Sequence, residues 1–95
     1  MTEKNNNLSV LEEKHNISIM LFLYENGTCI KSQIYKGISM NPRMPDKLNM
    51  LENKGLVQIR TDNFSNNRAE VSLTEKGIEV AKHLQAINEI MDGKS

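Results

Sequence analysis

Ninety-five residues suffice for one domain with a single core and are too few for two. Apolar residues make up 38% of the chain and charged residues 25%, which suits a soluble globular protein, and the longest apolar run, the six residues Ile19 to Tyr24, excludes a membrane span. Formal net charge is zero, a weak argument against nucleic acid, but six basic residues (Lys31, Lys36, Arg43, Lys47, Lys54, Arg60) face only Asp46 and Glu52 between positions 31 and 60, and phosphate contact depends on local charge.

Residues 1–7 are polar and asparagine-rich, so a flexible tail is expected before a single domain at 8–92. No secretory signal is expected there, and the single cysteine, Cys29, suits a reducing cytoplasm. Ser9 and Glu12 have capping-box spacing, so a helix can start at Ser9. Leu8, Leu11, His15, Ile19, Phe22 and Leu23 share one helical arc. Ile17, Leu21 and Tyr24, with Met20 beside them, lie nearly opposite, so this helix needs cover on two sides. Asn16 offers an alternative, a break between a short turn and a main helix from Ile17 to about Glu25.

Asn26-Gly27 ends that helix, and Thr28-Cys29 leaves room for a very short strand at most. Ile30, Ile34 and Ile38 then mark a helix from about Lys31 to Lys36, closed by the turn Gly37-Ile38-Ser39. A third helix is expected over about 42–54, with Asn41 as cap, Pro42 at its first position, and Met44, Leu48 and Leu51 on its buried face. Pro45 falls in its first turn, where a missing N–H costs least.

After Gly55 the period changes to two: Val57 and Ile59, then Ala69, Val71 and Leu73, alternate with polar residues around the loop at 62–67. This reads as a two-stranded hairpin, a wing at about 57–74. Thr74 then caps a helix over about 75–91 whose main stripe is Val80, Leu84, Ile87 and Met91. Two helices joined by a tight turn and followed by a hairpin make a winged helix-turn-helix, mainly α with a small β-hairpin. The third helix would bury Met44, Leu48 and Leu51 and leave its other side free for a major groove.

The run Leu48-Asn49-Met50-Leu51-Glu52-Asn53-Lys54-Gly55-Leu56-Val57 resembles the end of the recognition helix and start of the wing in MarR-like and ArsR-like regulators. The run from Asn66 to Gly77, with Arg68 before Leu73-Thr74-Glu75-Lys76-Gly77, resembles their wing and following helix, and Gly37-Ile38-Ser39 stands at their turn. The opening Asn41-Pro42-Arg43-Met44-Pro45 is similar to small archaeal winged-helix proteins. The resemblance covers about residues 17–82 and implies double-stranded DNA binding by a transcriptional regulator. Four features depart from it: a chain shorter than typical MarR proteins, Ile30 or Lys31 where a capping residue is usual, one wing arginine instead of several, and a free face of the third helix (Asp46, Asn49 and Asn53, flanked by Arg43 and Met50) less basic than that of a strong DNA reader. It implies no cofactor, and no small-molecule effector can be named.

On this reading Arg43 and Lys47 are expected at phosphates or guanine edges, Arg60 at a phosphate and Arg68 at a phosphate or in the minor groove, with Asp46, Asn49 and Met50 on the third helix and Asn66 and Asn67 on the wing. Solvent exposure alone accounts equally well for Arg43 and Lys47; a hairpin pair with Asp62 is the alternative for Arg68, and Asp46 is expected to serve the helix dipole before it accepts from a cytosine. A homodimer is expected through Ile17, Leu21, Tyr24, Val80, Leu84, Ile87 and Met91, the alternative being that the last helix folds onto the first within one chain. His15 and His83 have no ligand partners at metal spacing, and no catalytic set is visible, so neither a metal site nor an enzyme is expected. Two other readings stay open: a winged-helix module that binds protein, and a redox-responsive regulator using Cys29.

Overall fold

The structure, a computed structural model, describes residues 7–61 and 69–93. The expected wing residues Asn66, Asn67 and Arg68, and nearly all of the N-terminal tail, lie outside the described residues. In chain order the elements are α1 (Ser9–Glu12), α2 (Asn16–Asn26), β1 (Cys29–Ile30), α3 (Lys31–Gly37), α4 (Met44–Asn53), β2 (Val57–Arg60), β3 (Glu70–Leu73) and α5 (Glu75–Met91).

The N-terminal helix is broken, as the Asn16 alternative had it. Ser9 is not the cap: Leu8 holds that position without a side-chain bond, and α1 ends after four residues. The chain turns through His15, whose φ of 75° is left-handed, a conformation that costs a non-glycine residue about 1 kcal/mol. Asn16 is fully buried, and its amide donates to the Val10 carbonyl at 2.7 Å, which pins α1 to the start of α2. Ile19, Met20 and Leu23 of α2 face the core, so Met20 belongs with the inner arc and not the outer one. Ile17 and Tyr24 are exposed on the outer arc, with Leu21 half-buried.

The sheet has three strands rather than two, in the order β1-β3-β2, all antiparallel. The two residues of β1 suffice because they pair with the far edge of β3, Cys29 opposite Val71 and Ile30 opposite Glu70. Between β2 and β3, Val57 faces Leu73 and Ile59 faces Val71, so the apolar residues of both strands share the core side. Gln58 opposite Ser72 and Arg60 opposite Glu70 take the other side.

The start of α3 carries no serine or threonine cap; the Gln33 side chain instead accepts the Ile30 N–H at 2.9 Å. At its end, a Cβ on Gly37 would run into the ring of Phe22, so glycine there lets α3 approach α2 closely. The helix expected from Pro42 begins at Met44. Asn41 caps a turn and not the helix: its side chain accepts the Arg43 N–H at 2.8 Å, and its carbonyl accepts the Met44 N–H at 3.0 Å.

Met44, Leu48 and Leu51 of α4 are fully buried against Ile19, Met20, Leu23, Ile34, Val57 and Val71. The entry to α5 closes this core. Thr74 is its N-cap, accepting the Gly77 N–H at 2.9 Å, while the Thr74 hydroxyl donates to the Gly55 carbonyl at 2.6 Å. The Thr74 N–H donates to the Leu56 carbonyl at 3.1 Å, and Lys76 reaches the Lys54 carbonyl at 2.8 Å. A Cβ on Gly77 would overlap the Leu56 carbonyl itself. Backbone cannot swing aside as a side chain can, so Gly77→Ala is expected to destabilise by about 1–3 kcal/mol. Thr74→Val loses the cap and the hydroxyl bond and is expected to cost about 1–2 kcal/mol. Urea unfolding followed by circular dichroism measures both, and wild-type midpoints would show that this junction is not structural.

Candidate nucleic-acid interface

Helix α4 presents two unlike faces because four of its residues turn inward. Met44, Lys47, Leu48 and Leu51 are buried; Arg43, Asp46, Asn49 and Asn53 point outward. The last three are spaced by three and four, one outer stripe of the helix, with Arg43 at its leading end. Among the described residues, no hydrogen bond or ion pair engages the side chains of these four. Glu52 is also exposed, but its carboxylate accepts the Ile59 N–H at 3.3 Å and ties α4 to the wing strand.

Two of the residues expected on this surface stand elsewhere. Lys47 is only 9% exposed, and its ammonium lies 3.8 Å from Glu13 Oε1, in the corner between α1 and α2. The reason is its place in the helix: one turn from Met44 and from Leu51, it shares the core-facing side, where its methylenes cover apolar surface. Met50 is half-buried against the core and only borders the outer stripe. Arg60 is exposed at the outer end of β2, opposite Glu70.

The basic surplus of the segment from Lys31 to Arg60 is therefore divided. Lys47 faces Glu13, and Lys54 is held by the Asn7 side chain at 3.1 Å. Lys36, Arg43 and Arg60 remain exposed. The helix face itself carries one positive and one negative charge, Arg43 and Asp46, with two asparagines. Such a set can donate to and accept from base edges, and it offers little blanket attraction to phosphate.

The residues expected at a dimer interface also divide. Val80 and Leu84 are half-buried against the protein's own core, because α5 packs on α2. Beyond Leu84 the helix leaves the body: Ile87 is 54%, Ile90 70% and Met91 82% exposed. Ile78, near the start of α5, is exposed as well.

Cys29 sits in the core, its thiol 3.4 Å from the Gly27 carbonyl, and burial pushes its pKa up. A raised pKa depletes the reactive thiolate at neutral pH, which opposes redox sensing. The thiol should react slowly with a disulfide reagent in the native protein and at the free-cysteine rate in denaturant. Equal rates in the two conditions would contradict this placement. Among the described residues no group of histidine, cysteine and carboxylate side chains is arranged to hold a metal ion, and no helix is long and apolar enough to cross a membrane.

No protein-family model and no curated protein matches the chain. Its likeness to solved structures is extensive. A transcriptional regulator homologue from Pyrococcus horikoshii OT3 is 26% identical, with a TM-score of 0.70 over 90% of this chain and 87% of that one. A MarR-family regulator from Enterococcus faecalis V583 is 22% identical, with a TM-score of 0.78 over 98% of this chain and 88% of that one. The MepR protein of S. aureus, solved as a complex with DNA, is 20% identical, with a TM-score of 0.70 over 94% of this chain and 75% of that one. The order of elements, the sheet and the inward face of α4 make the same point: this chain has the winged helix-turn-helix fold of transcriptional regulators.

Proposed function

We propose that the protein is a transcriptional regulator, not an enzyme, that binds double-stranded DNA in the cytoplasm with α4 in the major groove and the wing on the flanking backbone or minor groove. The observation that carries this reading is the outer stripe of α4. Arg43, Asp46, Asn49 and Asn53 have no task inside the described protein, while the other side of the same helix is spent on the core. A helix held by one face and offering hydrogen-bonding side chains on the other is what major-groove reading requires. The solved DNA complex of the S. aureus protein of the same fold supports it.

The roles follow from chemistry. Asn49 and Arg43 are the base readers, because amide and guanidinium groups can form paired bonds with purine edges. Arg60 and Arg68 are phosphate contacts, which position the protein without reading sequence. Fluorescence anisotropy with duplex DNA should show affinity that falls steeply with salt. Arg60→Ala should reduce the log–log salt slope by about 0.9 and weaken all sequences alike. Asn49→Ala should change the preference between sequences instead. No binding at tens of micromolar protein in low salt would sink this reading and leave the fold to a protein-binding role.

The regulator acts as a homodimer on this reading. Ile87, Ile90 and Met91 continue the apolar pattern of α5 after the helix has left its own core, and Ile17 and Tyr24 of α2 are exposed as well. A second copy packed there would remove this surface from water and set two α4 helices about 34 Å apart, one helical turn of DNA. Light scattering at high micromolar concentration should give twice the monomer mass. Ile87→Asp with Ile90→Asp should give a folded monomer, since both side chains lie outside the core. A monomer mass for the wild type would remove the dimer.

A further inference from the structure

The inward face of α4 holds one charged residue among apolar ones. Lys47 is charged, lies among Met44, Leu48 and Leu51, and meets one opposite charge, Glu13. Their 3.8 Å separation is an ion pair longer than a hydrogen bond, and the Glu13 side chain is half exposed, so solvent weakens the attraction. Glu13 is held in place by others. It stands in the corner between α1 and α2, which is fixed by the Asn16 bond to Val10 and by the bond from the Asn16 N–H to the Glu13 carbonyl at 3.1 Å.

Lys47 is also one helical turn after Arg43, the leading residue of the outer stripe. At 9% exposed, where Met44, Leu48 and Leu51 are fully enclosed, it is the least enclosed of the inward residues of α4. Rotation about the lysine torsions can carry the ammonium from the corner to the Arg43 side while the methylenes keep covering the core. Resting on the DNA-binding reading, we propose that Glu13 holds Lys47 in reserve, and that Lys47 exchanges Glu13 for a DNA phosphate when the protein binds. A loose pair whose carboxylate is half exposed is a poor competitor for a phosphate, whose neutralisation also releases condensed counterions. The corner cannot follow the lysine, so the exchange breaks the pair rather than moving it. Glu13 thus lowers affinity for all DNA by one latent contact and leaves sequence preference to the outer stripe.

The salt dependence of binding to one duplex tests this, measured by anisotropy on the full chain for four proteins. If Lys47 makes the contact only after leaving Glu13, Glu13→Gln should tighten binding at low salt. If the pair keeps part of the lysine population from phosphate in the wild type, the slope should steepen by up to about 0.9, up to a 3.5-fold greater loss between 50 and 200 mM salt. The double variant Glu13→Gln with Lys47→Met should show neither gain, because the apolar replacement fills the same space without a charge. Glu12→Gln, the loss of a neighbouring exposed acid, should leave the slope unchanged. An unchanged affinity and slope in Glu13→Gln, or the same gain with Lys47→Met present, overturns the exchange while DNA binding stands. Weaker binding by Glu13→Gln also overturns it, since the pair would then position α4. A wild type that binds no duplex overturns the DNA reading and this inference together.

Discussion

The bonds around Thr74 fix where the reading helix stands relative to the wing. One hydroxyl accepts from Gly77 and donates to Gly55, and the adjoining N–H donates to Leu56. The end of α4, the start of β2, the end of β3 and the first turn of α5 therefore meet at a single side chain. Gly77 makes this possible, because any Cβ would occupy the space of the Leu56 carbonyl. The helix and hairpin that would grip DNA are joined here through backbone carbonyls, which have two well-directed lone pairs and little freedom to drift. Glu52, bonded to the Ile59 N–H, adds a second tie between the same two elements. An interface assembled from a helix and a wing needs their relative position held to a fraction of an ångström, and hydrogen bonds to fixed backbone supply that better than side-chain packing alone.

With α4 held in this way, the composition of its outer face sets what it can do. Arg43 and Asp46 cancel in charge, and Asn49 and Asn53 add donors and acceptors without charge. Affinity of a general kind must then come from flanking positions such as Lys36 and Arg60, and discrimination from the stripe itself. A chain of zero net charge can bind a polyanion under this division, because the acidic residues near its ends lie outside the segment between Lys31 and Arg60.

The sequence made the elements legible wherever a local rule acts alone. Thr74 before Glu75 gave the start of α5, and the alternation around Val57 and Val71 gave the wing strands, because capping and pleating are decided within a few residues. Two kinds of feature escaped. The start of α4 moved from Pro42 to Met44 because Asn41 can cap either a helix or a turn, and only the bond to the Arg43 N–H distinguishes them. Lys47 was read as exposed because charge is a strong prior for the surface, while its partner Glu13 is 34 positions away and no local spacing links the two. The third strand was legible as a short extended stretch but not as part of the sheet, since its pairing with β3 joins residues about 40 apart. Of the outer stripe, Arg43, Asp46 and Asn49 were visible from the buried spacing of Met44, Leu48 and Leu51, since knowing one face of a helix gives the other.

The free end of α5 bears on the same division of charge. A single α4 with a nearly neutral stripe and a few flanking cations offers few phosphate contacts, and general affinity grows with their number. The proposed homodimer would double the contacts by symmetry without placing more positive charge on α4, where it would weaken discrimination between sequences. It would also cover Ile87, Ile90 and Met91, whose exposure is otherwise an energetic cost to so small a core. On the proposed homodimer, the apolar end of α5 and the sparing use of charge on α4 serve one end: affinity gathered from two copies and discrimination kept on each stripe.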